Sequence, residues 1–255
     1  MLLAIDAGNT NIVFAVFDGE KLLGKWRLST DISRTSDEYA IALLELFKLE
    51  DLDLLKIDAV VIASVVPQHN FALKSFCSDY LSKKPIMVDS KKIKTGITIK
   101  LNESSEVGAD RIVNSLAAYK IYKKDAIILD FGTATTFDVI SSKGDYLGGV
   151  IAPGIDLSIK SLHRAAAKLP EIAVKKPTKI IGKTTVSAMQ SGIFFGYLGL
   201  IEGITERIKK EYGKKMIIIA TGGLATLFHG ATDSINYLEP DLTIIGLKEI
   251  YKLNS

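Results

Sequence analysis

An α/β fold of two related halves with a nucleotide cleft between them is predicted by three observations. The first is a polar stretch, Asp6-Ala7-Gly8-Asn9-Thr10-Asn11, between the apolar runs 2–5 and 12–17. It reads as a tight connection between two buried strands, with an acid where the first strand ends. The second is that the chain repeats this grammar at 126–140, where an apolar strand runs into Asp130-Phe131-Gly132-Thr133-Ala134-Thr135 and then a second strand. Repetition of strand, acid, glycine, threonine and strand in one order predicts two copies of one plan. The third is that apolar runs of strand length alternate with stretches of helical period, the layout of an α/β chain with a mixed sheet.

Taken in order, residues 21–29 alternate enough to add a third strand to the first hairpin. Ser36 and Asp37 cap a helix to about Lys48, with Tyr39, Ile41, Ala42, Leu43, Leu46 and Phe47 at helical spacing. Residues 58–64 form a short apolar run of parallel-strand character, and a helix at 68–82 and a strand at 85–89 follow. Residues 91–105 lack periodicity and read as a loop over the cleft around a short strand, Ile97-Thr98-Ile99. A helix then begins at Gly108. The second half repeats the opening, with strands near 126–131, 134–141 and 144–151, then Pro153-Gly154 and a helix. A long helix at 184–212, a strand at 216–220 and helices near 223–229 and 241–252 close the chain. The boundary falls near residue 118, giving domains of 1–118 and 119–255.

Composition narrows the classes of function. The 255 residues, 47% hydrophobic and 24% charged, describe a soluble globular chain with room for two modest cores. Lys plus Arg of 32 against Asp plus Glu of 29 leaves +3, interspersed along the chain, which argues against a nucleic-acid partner. One cysteine and three histidines offer neither a disulfide nor a zinc set, and Cys77 on its apolar helix reads as a small core residue. Asp6 interrupts the apolar opening before a signal-peptide core could form. The longest apolar stretch, 191–201, is broken by glycines and too short to span a bilayer. A cytoplasmic protein with no membrane partner is expected. Within that stretch Phe194, Phe195, Tyr197 and Leu198 offer more apolar surface than one helix stripe needs, which points to a homodimer interface. Trp26 is expected to pack on the first sheet, His69 to approach the cleft, His163 and His229 to serve at the surface or in packing, and residues 175–179 to form a solvated loop.

Two places carry chemistry. In the first turn Gly8 lets backbone come close to a ligand, and Asn9, Thr10 and Asn11 supply amides and a hydroxyl for phosphate oxygens. An ordinary hairpin turn uses the same residue types, and the second copy is what favours a phosphate cradle. The other place is Asp110, in the first turn of a helix, after Gly108 and beside Arg111. A carboxylate there can accept a proton from a substrate hydroxyl while Arg111 and nearby backbone N–H groups hold an anionic part of the same molecule. An Asp that only stabilises the helix dipole would occupy the same position.

The two hairpins, with Thr221-Gly222-Gly223 after a third buried strand, resemble the actin, sugar kinase and Hsp70 superfamily with its actin-like (ribonuclease H-like) domains. More specifically, Asp6–Asn11, Ser64-Val65-Val66-Pro67, Glu106-Val107-Gly108-Ala109-Asp110-Arg111, Asp130 to Thr135, the 148–154 run, Ala167-Lys168-Leu169-Pro170, Ala188 to Gly192 and Thr221 to Gly223 together look like type III pantothenate kinase. The resemblance spans nearly the whole chain. It implies a homodimer that phosphorylates pantothenate with ATP at the first step of coenzyme A synthesis, needing Mg²⁺ and K⁺ or NH₄⁺. By this match Asp110 is the catalytic proton acceptor, and Gly108, Ala109, Asp110, Arg111 and Thr185 bind pantothenate. Asp6, Ala7, Gly8, Asn9, Thr10, Asn11, Ile12, Val13 and Thr133 bind ATP, and Asp130 binds the monovalent cation. A strand-end acid beside the phosphates also leads us to expect that Asp6 holds Mg²⁺ through water. One departure is that the family places a substrate-contacting tyrosine five residues before the Glu of its Glu-Val-Gly-Ala-Asp-Arg motif, where this chain has Leu101. The rival readings are another small-molecule kinase of the superfamily, a regulatory protein that aids transcription on the same scaffold, and an actin-like filament protein. Other kinases of the superfamily are generally longer than 255 residues, a pure regulator need not keep Asp6, Asp110 and Asp130 together, and the lack of subdomain-sized insertions counts against a filament protein.

Overall fold

The computed structural model describes residues 1–89, 91–103, 106–166 and 168–255. In chain order the elements are β1 (Leu2–Ala7), β2 (Asn11–Asp18), β3 (Lys21–Ser29), α1 (Ser36–Leu49), β4 (Ala59–Ser64), α2 (Asn70–Leu81), β5 (Ile86–Met87), β6 (Thr98–Ile99) and α3 (Ala109–Tyr122). Then come β7 (Ala126–Phe131), β8 (Ala134–Ile140), β9 (Asp145–Pro153), α4 (Ile155–Ala165), α5 (Thr185–Tyr212), β10 (Ile217–Gly222), α6 (Ala225–His229), β11 (Tyr237–Leu238) and α7 (Leu242–Asn254). They form two compact units, Met1–Ile121 with Asp241–Ser255, and Tyr122–Pro240.

In the first unit β1 pairs antiparallel with β2 and parallel with β4, giving the order β3-β2-β1-β4-β5. Hydrogen-bonded on both edges, β1 buries every residue except Asp6, which is half-buried at its end. One face packs under α1 and α2, with Leu3, Ile5, Phe14, Tyr39, Phe47 and Phe76 in a single core. Trp26 joins that core from β3, its ring centroid 5.1 Å from Phe47, and Cys77 is fully buried there. The cap of α1 is Thr35, one residue before the expected Ser36. Thr35 Oγ1 accepts from Glu38 N–H at 3.3 Å while Glu38 accepts from Thr35 N–H at 2.8 Å, a reciprocal capping box.

The other face of the first sheet is covered by α3 and α7. Ile244, Leu247 and Ile250 of α7 pack with Leu2, Ala4, Val113 and Leu116, and Thr243 Oγ1 donates to Asn114 Oδ1 at 2.8 Å. Each such buried aliphatic contributes about 1.5–3 kcal/mol. This differs from the expected division, which gave all of 119–255 to the second half. The chain returns to the first unit because the apolar stripe of α7 fits the face that β1, β4 and α3 leave uncovered.

The second unit repeats the plan. Antiparallel pairs β7·β8 and β8·β9 and parallel pairs β7·β10 and β10·β11 give β9-β8-β7-β10-β11. Burial along β7 matches that along β1 residue for residue, with Asp130 half-buried where Asp6 is. Even the irregularities correspond. The β2·β3 register shifts between Val16 and Phe17, with Gly24 opposite Val16. The β8·β9 register shifts between Val139 and Ile140, with Gly148 opposite Val139. In each hairpin the bulge falls three residues beyond the partner of the strand-end acid. The long helix α5 starts at a Thr184 cap and ends at Gly213, whose φ of 74° suits glycine.

The aromatics of α5 correct an expectation. Phe194 and Tyr197 are buried inside the second unit, where the Phe194 ring stacks on Phe228 at 5.3 Å, so they are not a free dimer surface. Among the described residues no helix is long and apolar enough to cross a membrane.

His69 is also placed differently from expectation. It is 1% exposed within the first core, with Nδ1 2.9 Å from the Tyr39 hydroxyl and Nε2 lacking a protein partner. Burial holds its pKa below 6.5, helped by Arg34 and opposed by Asp31. The folded state therefore keeps His69 neutral, while the unfolded chain takes up a proton as pH falls through 6.5. Its contribution is complete above that pH and is lost progressively down to the depressed folded pKa. Urea unfolding at a series of pH values should show stability falling in this window, with a shallower fall in His69→Asn. An equal slope in the two proteins would assign the acid sensitivity to other groups.

Candidate active site

The first turn is shaped by the hairpin it closes. Ala7 pairs with Ile12, and Gly8 N–H donates to Asn11 O at 3.0 Å. Thr30, just beyond β3, buttresses it, with Oγ1 donating to Gly8 O at 2.6 Å and N–H donating to Thr10 O at 2.9 Å. Asn9 and Thr10 are exposed, whereas Ala7 and Ile12 are buried and offer a ligand only backbone. Thr30 escapes sequence reasoning because a lone threonine after a strand carries no motif.

Next to this turn the unit assembles two more of the singled-out motifs. Val65, following β4, donates its N–H to Ala7 O at 3.1 Å, and Ser64 Oγ accepts from Val66 N–H at 3.2 Å to hold the corner. A Cβ built on Gly108 would lie 3.7 Å from Val65 Cγ1. One corner therefore touches both the Asp6 turn and the start of α3.

At that start Ile112 N–H donates to Gly108 O at 3.1 Å, opening the helix, and Arg111 N–H donates to Asp110 Oδ1 at 2.8 Å. Asp110 is half-buried, and burial pushes its carboxyl above the usual 3.8 even though the Arg111 N–H and charge pull it down. A carboxylate with raised basicity that stays near a cation is suited to accept a proton. The lack of a side chain at Gly108 leaves that carboxylate its place. A Cβ there would come within 2.6 Å of Asp110 Oδ1.

In the second unit the corresponding turn is one residue tighter, with Phe131 paired to Thr135 and Gly132 N–H donating to Ala134 O at 3.1 Å. Thr133 is exposed at its tip. Gly154 closes the turn from below, donating its N–H to Thr133 O at 3.1 Å, and a Cβ on it would collide with that same oxygen. Asp130 sits in register with Thr221 of β10. Gly222, at φ 90°, approaches so closely that a Cβ would stand 2.5 Å from Asp130 Oδ1 and 2.7 Å from Phe131 O. Gly222 thus leaves room around one carboxylate and one carbonyl. That donor set suits a large monovalent cation.

Thr185 is exposed at the first turn of α5, on an apolar groove it shares with Leu162 of α4, Leu169, Met189 and Gly192. The Ala188–Gly192 motif lines the same groove. In the motif that starts at Ala167, that first residue lies outside the described set, as does Ser104 beside the departing Leu101 position. Among the described residues no three His, Cys, Asp or Glu side chains group to hold a metal.

The repeated five-strand plan with an acid and a glycine turn at each central strand end defines an actin-like α/β fold of two related units. A solved structure of this kind, the inorganic polyphosphate/ATP-glucomannokinase from Arthrobacter sp. strain KM, superposes with a TM-score of 0.51 at 15% identity over 98% of each chain. Residues 2–207 match the family model of type III pantothenate kinase. The chain is 55% identical over 255 residues to the type III pantothenate kinase of Paramagnetospirillum magneticum, covering all of this chain and 98% of that one. It is 51% identical over 254 residues to the type III pantothenate kinase of Rhodospirillum rubrum, covering 99% of it. The chain belongs to the type III pantothenate kinase family.

Gly108→Ala should fold with near-native thermal stability yet lose activity by about 10-fold or more, because the new methyl displaces the Asp110 carboxylate and little else. Circular dichroism melts alongside steady-state rates check this, and undiminished turnover would show that the carboxylate tolerates displacement.

Proposed function

We propose that Asp110 is the general base in the phosphorylation of pantothenate by ATP, the reaction of the family to which the chain belongs and the first step of coenzyme A biosynthesis. The observation that carries this is the Asp110 carboxylate itself, half-buried, raised in pKa and given its place by the missing side chain of Gly108. As the pantothenate hydroxyl oxygen bonds to the γ-phosphorus and the bond to the leaving ADP oxygen breaks, the hydroxyl proton passes to Asp110. Arg111, with the backbone of Gly108 and Ala109, holds the anionic part of pantothenate, and Thr185 supplies a hydroxyl to it. The turn from Asp6 to Val13 and Thr133 hold ATP. Phosphoryl transfer asks mainly for positioning and charge neutralisation, which these groups supply without an arginine finger.

Asp6 would hold Mg²⁺ through water, and Asp130 with the neighbouring carbonyl would hold K⁺ or NH₄⁺. Bound there, the cations offset the charge of the transferring phosphates. ADP release should follow pantothenate and not a panel of sugars or acetate, and should slow when Na⁺ replaces K⁺ at fixed ionic strength. Equal rates in the two salts would remove the selective cation from this scheme. Asp110→Asn should lower kcat by about 10²–10⁴-fold. It should also raise thermal stability at pH 7, because a carboxyl whose folded pKa is raised costs the fold once ionised. Turnover that survives this change would leave Asp110 as a helix-dipole residue only.

We also propose a homodimer formed through the second unit. What supports it is the apolar surface that unit exposes, with Ile151 on β9, Leu157 on α4, Ile180 and Ile181 ahead of α5, and Val186 on α5 itself. Sedimentation equilibrium should give twice the 27.7 kDa chain mass, and Ile181→Glu should shift it towards the monomer. A monomer at micromolar concentration in the unaltered protein would refute it.

A further inference from the structure

The loop that precedes Glu106-Val107-Gly108-Ala109-Asp110-Arg111 is tied down by the last turn of α7. Asn254 reads the backbone of Lys94 in both directions. Its Oδ1 accepts from Lys94 N–H at 2.9 Å and its Nδ2 donates to Lys94 O at 2.9 Å. The same Nδ2 donates to Ile250 O at 2.8 Å, which fixes the amide on its own helix. A side-chain amide used in this way takes the place of a neighbouring strand, satisfying the donor and acceptor of a residue that has no sheet partner.

Two residues on, the loop is gripped a second time. Gly96 has φ 71°, and a Cβ on it would stand 2.6 Å from Leu253 Cδ1 and 2.8 Å from Leu116 Cδ1. The backbone thus passes between α7 and α3, and only glycine satisfies both the left-handed conformation and the narrow gap. Thr95 Oγ1 donates to Ile97 O at 2.9 Å, and Ile97 packs on the core that α3 and α7 share. Leu116 lies less than two helical turns after Asp110 on α3. The helix that carries the proton acceptor therefore forms one jaw of the grip on the loop.

We propose that Asn254 is a positioning residue for the acceptor substrate. Through Lys94 and Gly96 it sets where the segment 97–101 lies relative to Asp110, and so governs the affinity for pantothenate and not for ATP. This rests on the assignment of Gly108–Arg111 as the pantothenate site. It gives α7 a role in recognition besides its burial of Ile244, Leu247 and Ile250, and it places that role on a residue more than a hundred positions away from the site in sequence.

The test uses the full chain with Asn254→Ala and Asn254→Asp. Asp keeps the acceptor for Lys94 N–H and loses the donor to Lys94 O. Asn254→Ala should raise KM for pantothenate about 3- to 10-fold, with KM for ATP and kcat within about twofold of the unaltered enzyme. Asn254→Asp should fall between the two. Hydrogen exchange should show the Lys94 amide losing protection in the Ala variant. A merely structural residue would instead lower the active fraction, which reduces apparent kcat and leaves both KM values alone. Faster exchange at Lys94 with an unchanged KM for pantothenate would overturn the inference, as would an equal rise in both KM values. Unaltered enzyme that releases no ADP in the presence of pantothenate would overturn the site assignment instead, and the inference with it. Gly96→Ala provides a second variant acting through the other grip, and the same selective rise in KM is expected.

Discussion

The rest of the structure depends on a strand that is hydrogen-bonded on both edges. β1 lies between β2 and β4, and β7 lies between β8 and β10, so the backbone of each is satisfied within its sheet. With both faces covered, such a strand is apolar along its length. In these two central strands the one acid stands where the strand is leaving the sheet. Asp6 and Asp130 occupy that position, each the fifth residue of its strand. The chain must then turn back at once to form the next antiparallel strand, which is why glycine follows two residues after each acid. Acid and turn are therefore one consequence of a central strand with a hairpin partner.

Around those acids the geometry is defined by absent methyl groups. Gly108 leaves the Asp110 carboxylate its place, Gly222 does the same for Asp130, and Gly154 lies against the Gly132-Thr133 backbone. In each case the close neighbour is a carboxylate or a carbonyl of another residue. What each contributes is the approach of something else, and at Gly222, with φ 90°, a side chain would strain the local backbone as well.

Much of the architecture was legible in the sequence because the determining signals are local. The period of α1, the apolar run of β4 and the two Asp-x-Gly turns are all read from contiguous residues, and so is the family resemblance. The misplacements have a common physical origin, because they concern what packs against what. Chain order groups α7 with the second half, yet its stripe fits the first sheet. Phe194 and Tyr197 read as surplus apolar surface because Phe228, which they meet, is far away in sequence. His69 follows a strand end, and only its enclosure by Tyr39 shows that it belongs to the core. β11 has two residues and no pattern of its own, and it exists because β10 offers it an edge. Thr30, with two hydrogen bonds, and Gly154, with one, support the turns in a way that leaves no mark on composition or period.

The return of the chain to its first unit also has a consequence for synthesis. By the time Pro240 has been added, every residue of the second unit has left the ribosomal active site, while the first unit, begun far earlier, still lacks α7. Until then the side chains of Leu2, Ala4, Val113 and Leu116 have no cover from Ile244, Leu247 and Ile250. The part of the protein made first is thus completed last. The contacts that close it join residues at opposite ends of the sequence, the kind of long-range closure that slows folding.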